Sequence, residues 1–192
     1  MSTINGLPAH VLLVHVVVVL IPLTALLVLL SAFWPAARRR LGLVTGGVAM
    51  LTLITVPITT GAGDWLEHHL PRTPLLREHT QLGDYMLPWA AALFLVAAAV
   101  SVREFLRTRR TASVSTAGGP GAATETALAE RATDAHGIGG KPVSIALAVL
   151  ALLVAVGSST VVYKIGDSGA RASWEGKFSQ TAIPSPKKPS SP

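Results

Sequence analysis

The chain has no cysteine among its 192 residues. Disulfides, thiolate nucleophiles, cysteine-ligated zinc and a cysteine-held iron–sulfur cluster are excluded together. Charge is scarce as well: 14% of residues are Asp, Glu, Lys or Arg, against 50% hydrophobic. The motifs of soluble enzymes are also missing. Gly61-Ala62-Gly63 and Gly137-Ile138-Gly139-Gly140 do not open a phosphate-binding βαβ unit, and there is no Gly-x-Ser-x-Gly elbow, Walker motif or His-Glu-x-x-His. Catalysis therefore has no motif behind it. The net charge of +6 does not make this a nucleic-acid binder, because the basic residues flank apolar runs or lie in a tail. Lipid headgroups are the expected partner.

What the chain does have is long apolar runs. Val11 to Phe33 holds one His and no charge, and 17 of its 23 residues are Val, Leu, Ile or Phe. At roughly −0.3 to −0.6 kcal/mol for each such residue on the insertion scale, that run gains several kcal/mol on entering a bilayer. Its length, at about 1.5 Å per residue, exceeds a ~30 Å hydrocarbon core. Three further spans follow: Leu41 to Thr60, with three glycines, five threonines and Pro57; Tyr85 to Val102, with an Ala-rich centre; and Val143 to Tyr163, interrupted near its end by Gly157-Ser158-Ser159-Thr160. Backbone in lipid must satisfy its own hydrogen bonds, so these are helices. The expected fold is all-α, an integral membrane four-helix transmembrane bundle.

The positive-inside rule sets its orientation. With both termini outside, nine basic residues fall on the inner side (Arg38, Arg39, Arg40, Arg103, Arg107, Arg109, Arg110, Arg131 and Lys141) and seven outside. The totals are close, but the short juxtamembrane stretches that govern insertion are basic on the inner side, which gives an N-out, C-out topology. The first ten residues lack a basic n-region and the apolar run is too long for a cleaved signal peptide. Thr73-Pro74 reads as an N-cap followed by Pro at the first helical position, so the third helix begins near Pro74. Gly166 reads as the C-cap of the fourth helix, with Lys164 snorkelling beside it. Trp65, Tyr85, Trp89, Tyr163 and Trp174 read as an aromatic belt at the outer boundary. Gly42-x-x-x-Gly46 reads as an intrachain packing face. Thr111 to Gly140 is a Gly-, Ala-, Ser- and Thr-rich cytoplasmic linker, and Ser179 to Pro192 a Pro-, Ser- and Lys-rich tail, neither with the composition of a fold.

On this topology five of the six histidines gather outside. His15 stands out, because ionisable residues within spans usually face a bundle interior, a cavity or a partner. It follows His10 by five residues, so the two point about 140° apart on an ideal helix and need partners from other helices. Asp64 and His79 are available at the outer ends of other spans. An outer-leaflet cluster of His10, His15, Asp64 and His79 is thus the candidate cofactor site. A neutral imidazole can ligate haem b iron or a divalent metal, with a carboxylate fixing its tautomer. The alternative is that His15 bonds a Thr or a backbone carbonyl and merely locks the bundle. His68-His69 is a solvated loop pair, since adjacent residues point apart.

Four stretches then carry a resemblance: Gly6-Leu7-Pro8-Ala9-His10 through His15; Thr59-Thr60-Gly61-Ala62-Gly63-Asp64-Trp65-Leu66-Glu67; Arg77-Glu78-His79-Thr80 with Leu82-Gly83-Asp84; and Tyr163-Lys164-Ile165-Gly166-Asp167-Ser168-Gly169-Ala170. Taken in order over residues 6 to about 175, they resemble the bacterial membrane family called domain of unknown function 2231. The resemblance implies a four-helix protein of the bacterial inner membrane with no assigned reaction and, since some relatives carry a Rieske-type domain, a redox or other membrane protein partner. Two function classes stand open: a structural or regulatory membrane protein, non-enzymatic by itself, or a haem- or metal-binding subunit serving electron transfer.

Overall fold

A computed structural model describes residues 3–117, 140–178 and 181. The linker beyond residue 117, with His136, and all of the tail but Thr181 lie outside the described residues. The chain opens with a hairpin of β1 (Thr3–Ile4) and β2 (Leu7–Pro8), antiparallel with Thr3 opposite Pro8. Its turn is Asn5-Gly6, at φ 51° and 79°. That dipeptide tolerates positive φ at both positions and is the strongest short-range hairpin signal. The hairpin feeds directly into the first helix.

Among the described residues five helices follow: α1 (Ala9–Phe33), α2 (Pro35–Glu67), α3 (Pro74–Asp84), α4 (Met86–Ala117) and α5 (Lys141–Trp174). Four stretches are long and apolar enough to cross a membrane: α1, α2, α5, and α4 with its short leader α3. The exterior is as apolar as a bilayer requires, with Val19, Leu95, Ile145 and Leu153 each more than 60% exposed. In water such a surface would aggregate; in lipid it is solvated.

Several expected boundaries are corrected. The α1–α2 junction is a single residue, Trp34, held extended ahead of Pro35, so Arg38, Arg39 and Arg40 sit in the opening turns of α2 rather than in a loop. Gly166 is not a C-cap. The α5 ladder runs through it to Trp174 and stops at extended Glu175 followed by Gly176 at φ 74°. Gly157-Ser158-Ser159-Thr160 does not interrupt α5 either. Gly157 lies under the Trp89 indole, where a Cβ would overlap the ring, so Trp89 is an α4–α5 packing residue rather than part of a belt. The linker's first residues, to Ala117, continue α4. The N-cap at Thr73 is as expected: its hydroxyl accepts from the Leu76 amide at 3.1 Å.

Hydroxyls and small residues line the contact between α1 and α2. The Thr24 and Thr52 hydroxyls are 2.7 Å apart, and those of Ser31 and Thr45 are 3.0 Å apart, all four fully buried. On α1 the inward positions His10, Val17, Thr24 and Ser31 are seven apart; on α2 so are Arg38, Thr45, Thr52 and Thr59. A seven-residue repeat keeps a seam facing its partner in left-handed antiparallel packing. The Gly42/Gly46 face receives α4, where the Ser101 hydroxyl donates to the Gly42 carbonyl at 2.9 Å.

This packing brings the start of α1, the end of α2, α3 and the last turns of α5 to one end of the bundle, the histidine end. The start of α2, the lower part of α4 and the start of α5 meet at the other, the arginine end. Along α2, Thr59 and Arg38 are 21 residues apart, about 32 Å of helix, so the two polar ends bracket a hydrocarbon core.

Candidate functional site

At the histidine end, two imidazoles cross between helices. His10, in the first turn of α1, is half-buried, and its Nδ1 donates to the Thr59 carbonyl of α2 at 2.9 Å. The ring lies on Gly63, where a Cβ would come within 2.9 Å of Nδ1. His79, in the middle of α3, is half-buried against α5, with Nδ1 at 3.1 Å from the Ile165 carbonyl and 3.2 Å from the Ser168 hydroxyl. Buried Ser168 in turn donates to the same carbonyl at 3.0 Å. This ring lies on Gly169, where a Cβ would be 2.9 Å from Cε1. The two ring centres are 6.1 Å apart and nearly perpendicular, at 77°.

The two contacts are the same device used twice. A ring nitrogen bonds the carbonyl of residue n on the partner helix, and the ring occupies the space left by glycine at n + 4, with n at Thr59 or Ile165. A carbonyl only accepts, so in each ring Nδ1 carries the hydrogen and a neutral imidazole keeps its lone pair on Nε2. Neither Nε2 has a hydrogen-bond partner among the described residues.

The structure thus joins two of the four candidate residues and leaves two apart. His15 does not enter the cluster: it is exposed on the outer face of α1, and its Nδ1 donates to the Val11 carbonyl one turn back at 2.7 Å. The heptad seam turns His10 inward, and the five-residue step then carries His15 away from it. Asp64 is exposed too; it follows Gly63, and one position of helix, about 100°, turns its carboxylate off the His10 face. His68 and His69 lie at the end of α2 and also bond backward, to Asp64 and Trp65 carbonyls at 2.7 Å. His69 stacks on Trp65 with ring centres 4.0 Å apart.

Four residues of the site escaped the sequence reading as participants: Thr59, Gly63, Ser168 and Gly169. Their signal was a small residue repeated four positions after a helix-borne carbonyl, in two stretches that otherwise look dissimilar. Outside the ring pair, Arg171 ties α5 to α3 through Glu78 at 2.8 Å and reaches Asp167 on its own helix at 3.3 Å. Among the described residues, no three His, Cys, Asp or Glu side chains converge as a metal cage. No protein-family model matches the chain, and no curated protein or solved structure does.

Proposed function

We propose that this chain is a multi-pass protein of the bacterial inner membrane, both termini outside, that acts as a structural or regulatory component and is non-enzymatic by itself. The resemblance of its four motifs to the domain of unknown function 2231 family places it among such proteins in this reading. The observation that carries the structural role is the pair of cross-helix imidazole bonds, His10 to Thr59 and His79 to Ile165 and Ser168. They tie α1 to α2 and α3 to α5, and with the ring centres 6.1 Å apart they bring the two pairs side by side. A polar tie of this kind between membrane helices is worth about 0.6 kcal/mol on average and up to ~2. It closes the bundle end from which α3 enters.

The orientation rests on the short basic stretches and has a direct test, since native cysteine is absent. Single-Cys variants at Ser113 and Ser173 are expected to label from opposite sides of intact cells. Only exposed Ser173→Cys, in the last turn of α5, should react with an impermeant maleimide. External reaction at Ser113→Cys would overturn the topology.

A second reading, a haem- or metal-binding subunit with a redox or other membrane partner, is favoured by one observation: both rings spend Nδ1 on carbonyls and keep Nε2 uncommitted.

A further inference from the structure

We infer that His10 and His79 together ligate one transition-metal centre through their Nε2 atoms. This deepens the second reading above and is independent of whether the histidines stabilise the bundle.

Five histidines are described, and they divide cleanly. His15, His68 and His69 each turn back on a carbonyl four residues earlier in their own helix, the cheapest way to satisfy a ring nitrogen. His10 and His79 instead reach other helices, 49 and 86 residues away in sequence, and arrive side by side. A clasp explains the Nδ1 bonds but not the choice of residue, because an asparagine at either position offers a comparable N–H to the same carbonyl. Nor does it explain why two groups that repel when charged should share one spot. Anchoring Nδ1 on a backbone carbonyl is what metal-ligating histidines do with their second nitrogen, since it fixes the tautomer and the ring direction.

Distance permits the assignment. With metal–nitrogen bonds of ~2.0–2.1 Å and about 1.2 Å from nitrogen to ring centre, two imidazoles sharing one ion have centres at most ~6.4–6.6 Å apart. The observed 6.1 Å is close to that. The donor count narrows the class. With two imidazoles and no third His, Asp or Glu converging among the described residues, a bare ion keeps open positions, whereas haem iron brings four nitrogens of its own and asks the protein for two. Imidazole suits iron, copper, nickel and zinc, and among bare divalent ions copper binds tightest. The shared chemistry is bis-imidazole ligation, and the two sources, haem and free ion, separate by experiment.

The full-length protein in detergent is titrated with haemin in one arm and with Cu(II) in the other. Ligation by haem predicts a saturable low-spin Soret spectrum at one haem per chain. Ligation of the bare ion predicts a Cu(II) electron paramagnetic resonance signal split by two nitrogens, with no low-spin haem spectrum. His10→Asn and His79→Asn, which keep a donor for Thr59 and Ile165 while deleting Nε2, should each weaken binding at least about tenfold and leave the melting temperature near wild type. Ser168→Ala, which removes part of the His79 anchor, should weaken it less, and His15→Asn and His68→Asn should change nothing. Failure of both probes to bind near stoichiometric concentration, or binding that survives in the folded His10→Asn/His79→Asn double variant, overturns the inference. Loss of folding in His79→Ala but not His79→Asn supports the clasp alone, so the two readings fail separately.

Discussion

The two ends of this bundle are closed by opposite chemistries. At the arginine end the ties are permanent charges: Arg38 of α2 pairs with Glu104 of α4 at 3.0 Å, both side chains less than a fifth exposed, and buried Arg103 donates to Ser144 of α5. At the histidine end the inner ties run from imidazoles to backbone carbonyls, with no carboxylate bonded to either ring among the described residues, and the inter-helix ion pair of Arg171 with Glu78 is about half exposed. Charge buried against charge joins α2 to α4, and a buried guanidinium on a hydroxyl joins α4 to α5. Rings seated on glycine and bonded through one nitrogen hold α1, α2, α3 and α5 while keeping a second nitrogen for chemistry. The difference assigns architecture to one end and any ligand to the other.

The largest effect should come from the charged end. Arg38→Ala removes the Arg38 guanidinium from Glu104 in a poorly hydrated setting, and breaking one side of a buried pair costs about 3–5 kcal/mol. Thermal or denaturant unfolding in detergent is expected to show that loss, with Glu104→Gln in the Arg38→Ala background recovering part of it. If Arg38→Ala falls within about 1 kcal/mol of wild type, the arginine end is not held by its charges and the comparison collapses.

How much of this was legible in the sequence follows from the same physics. The four spans were plain because lipid demands long apolar helices, and Thr73-Pro74 announced its helix start through cap chemistry. The inward face of α1 was harder, because an all-round apolar helix has no amphipathic direction: lipid is as apolar as the interior. The usable signal was the seven-residue spacing of His10, Thr24 and Ser31 on that helix against Thr45, Thr52 and Thr59 on the next, which includes His10 and omits His15. Attention to depth rather than to the seam favoured His15, which the helix turns outward. The α5 boundary failed for a related reason: Gly166 resembled a stop, yet the helix runs on through it to Gly169, which admits the His79 ring. Asn5-Gly6 carried a hairpin signal as clear as any in the chain and lay in a stretch that was not read for turns.

A middle-sized effect sharpens the histidine end. Gly63→Ala and Gly169→Ala add one methyl each, and that methyl would meet His10 or His79 at about 2.9 Å, closer than real contacts allow. The rings must swing away, and overpacking of this kind costs roughly 1–3 kcal/mol. The two variants should show similar losses in unfolding experiments, since they obstruct the same device on two helix pairs. Adding the ring deletion should remove the difference: Gly169→Ala placed on His79→Ala is expected to cost almost nothing more, because a neighbour pair of this kind is non-additive. Full additivity would mean that the glycine serves the helix and not the histidine.

The smallest effect belongs to the surface pair beside that device. Arg171 contacts Glu78 and Asp167 with each of the three side chains about half exposed, so water competes for both bonds and salt screens them. Arg171→Ala should therefore cost no more than about 1 kcal/mol, and the loss should shrink further in high salt, whereas the Arg38→Ala loss at the opposite end should hardly move. Melting curves of both variants at low and high ionic strength make the check. A large, salt-insensitive loss at Arg171 would show that its contact with Glu78 behaves as the buried pair at the other end does, and the division between a charged end and an imidazole end would have to be redrawn.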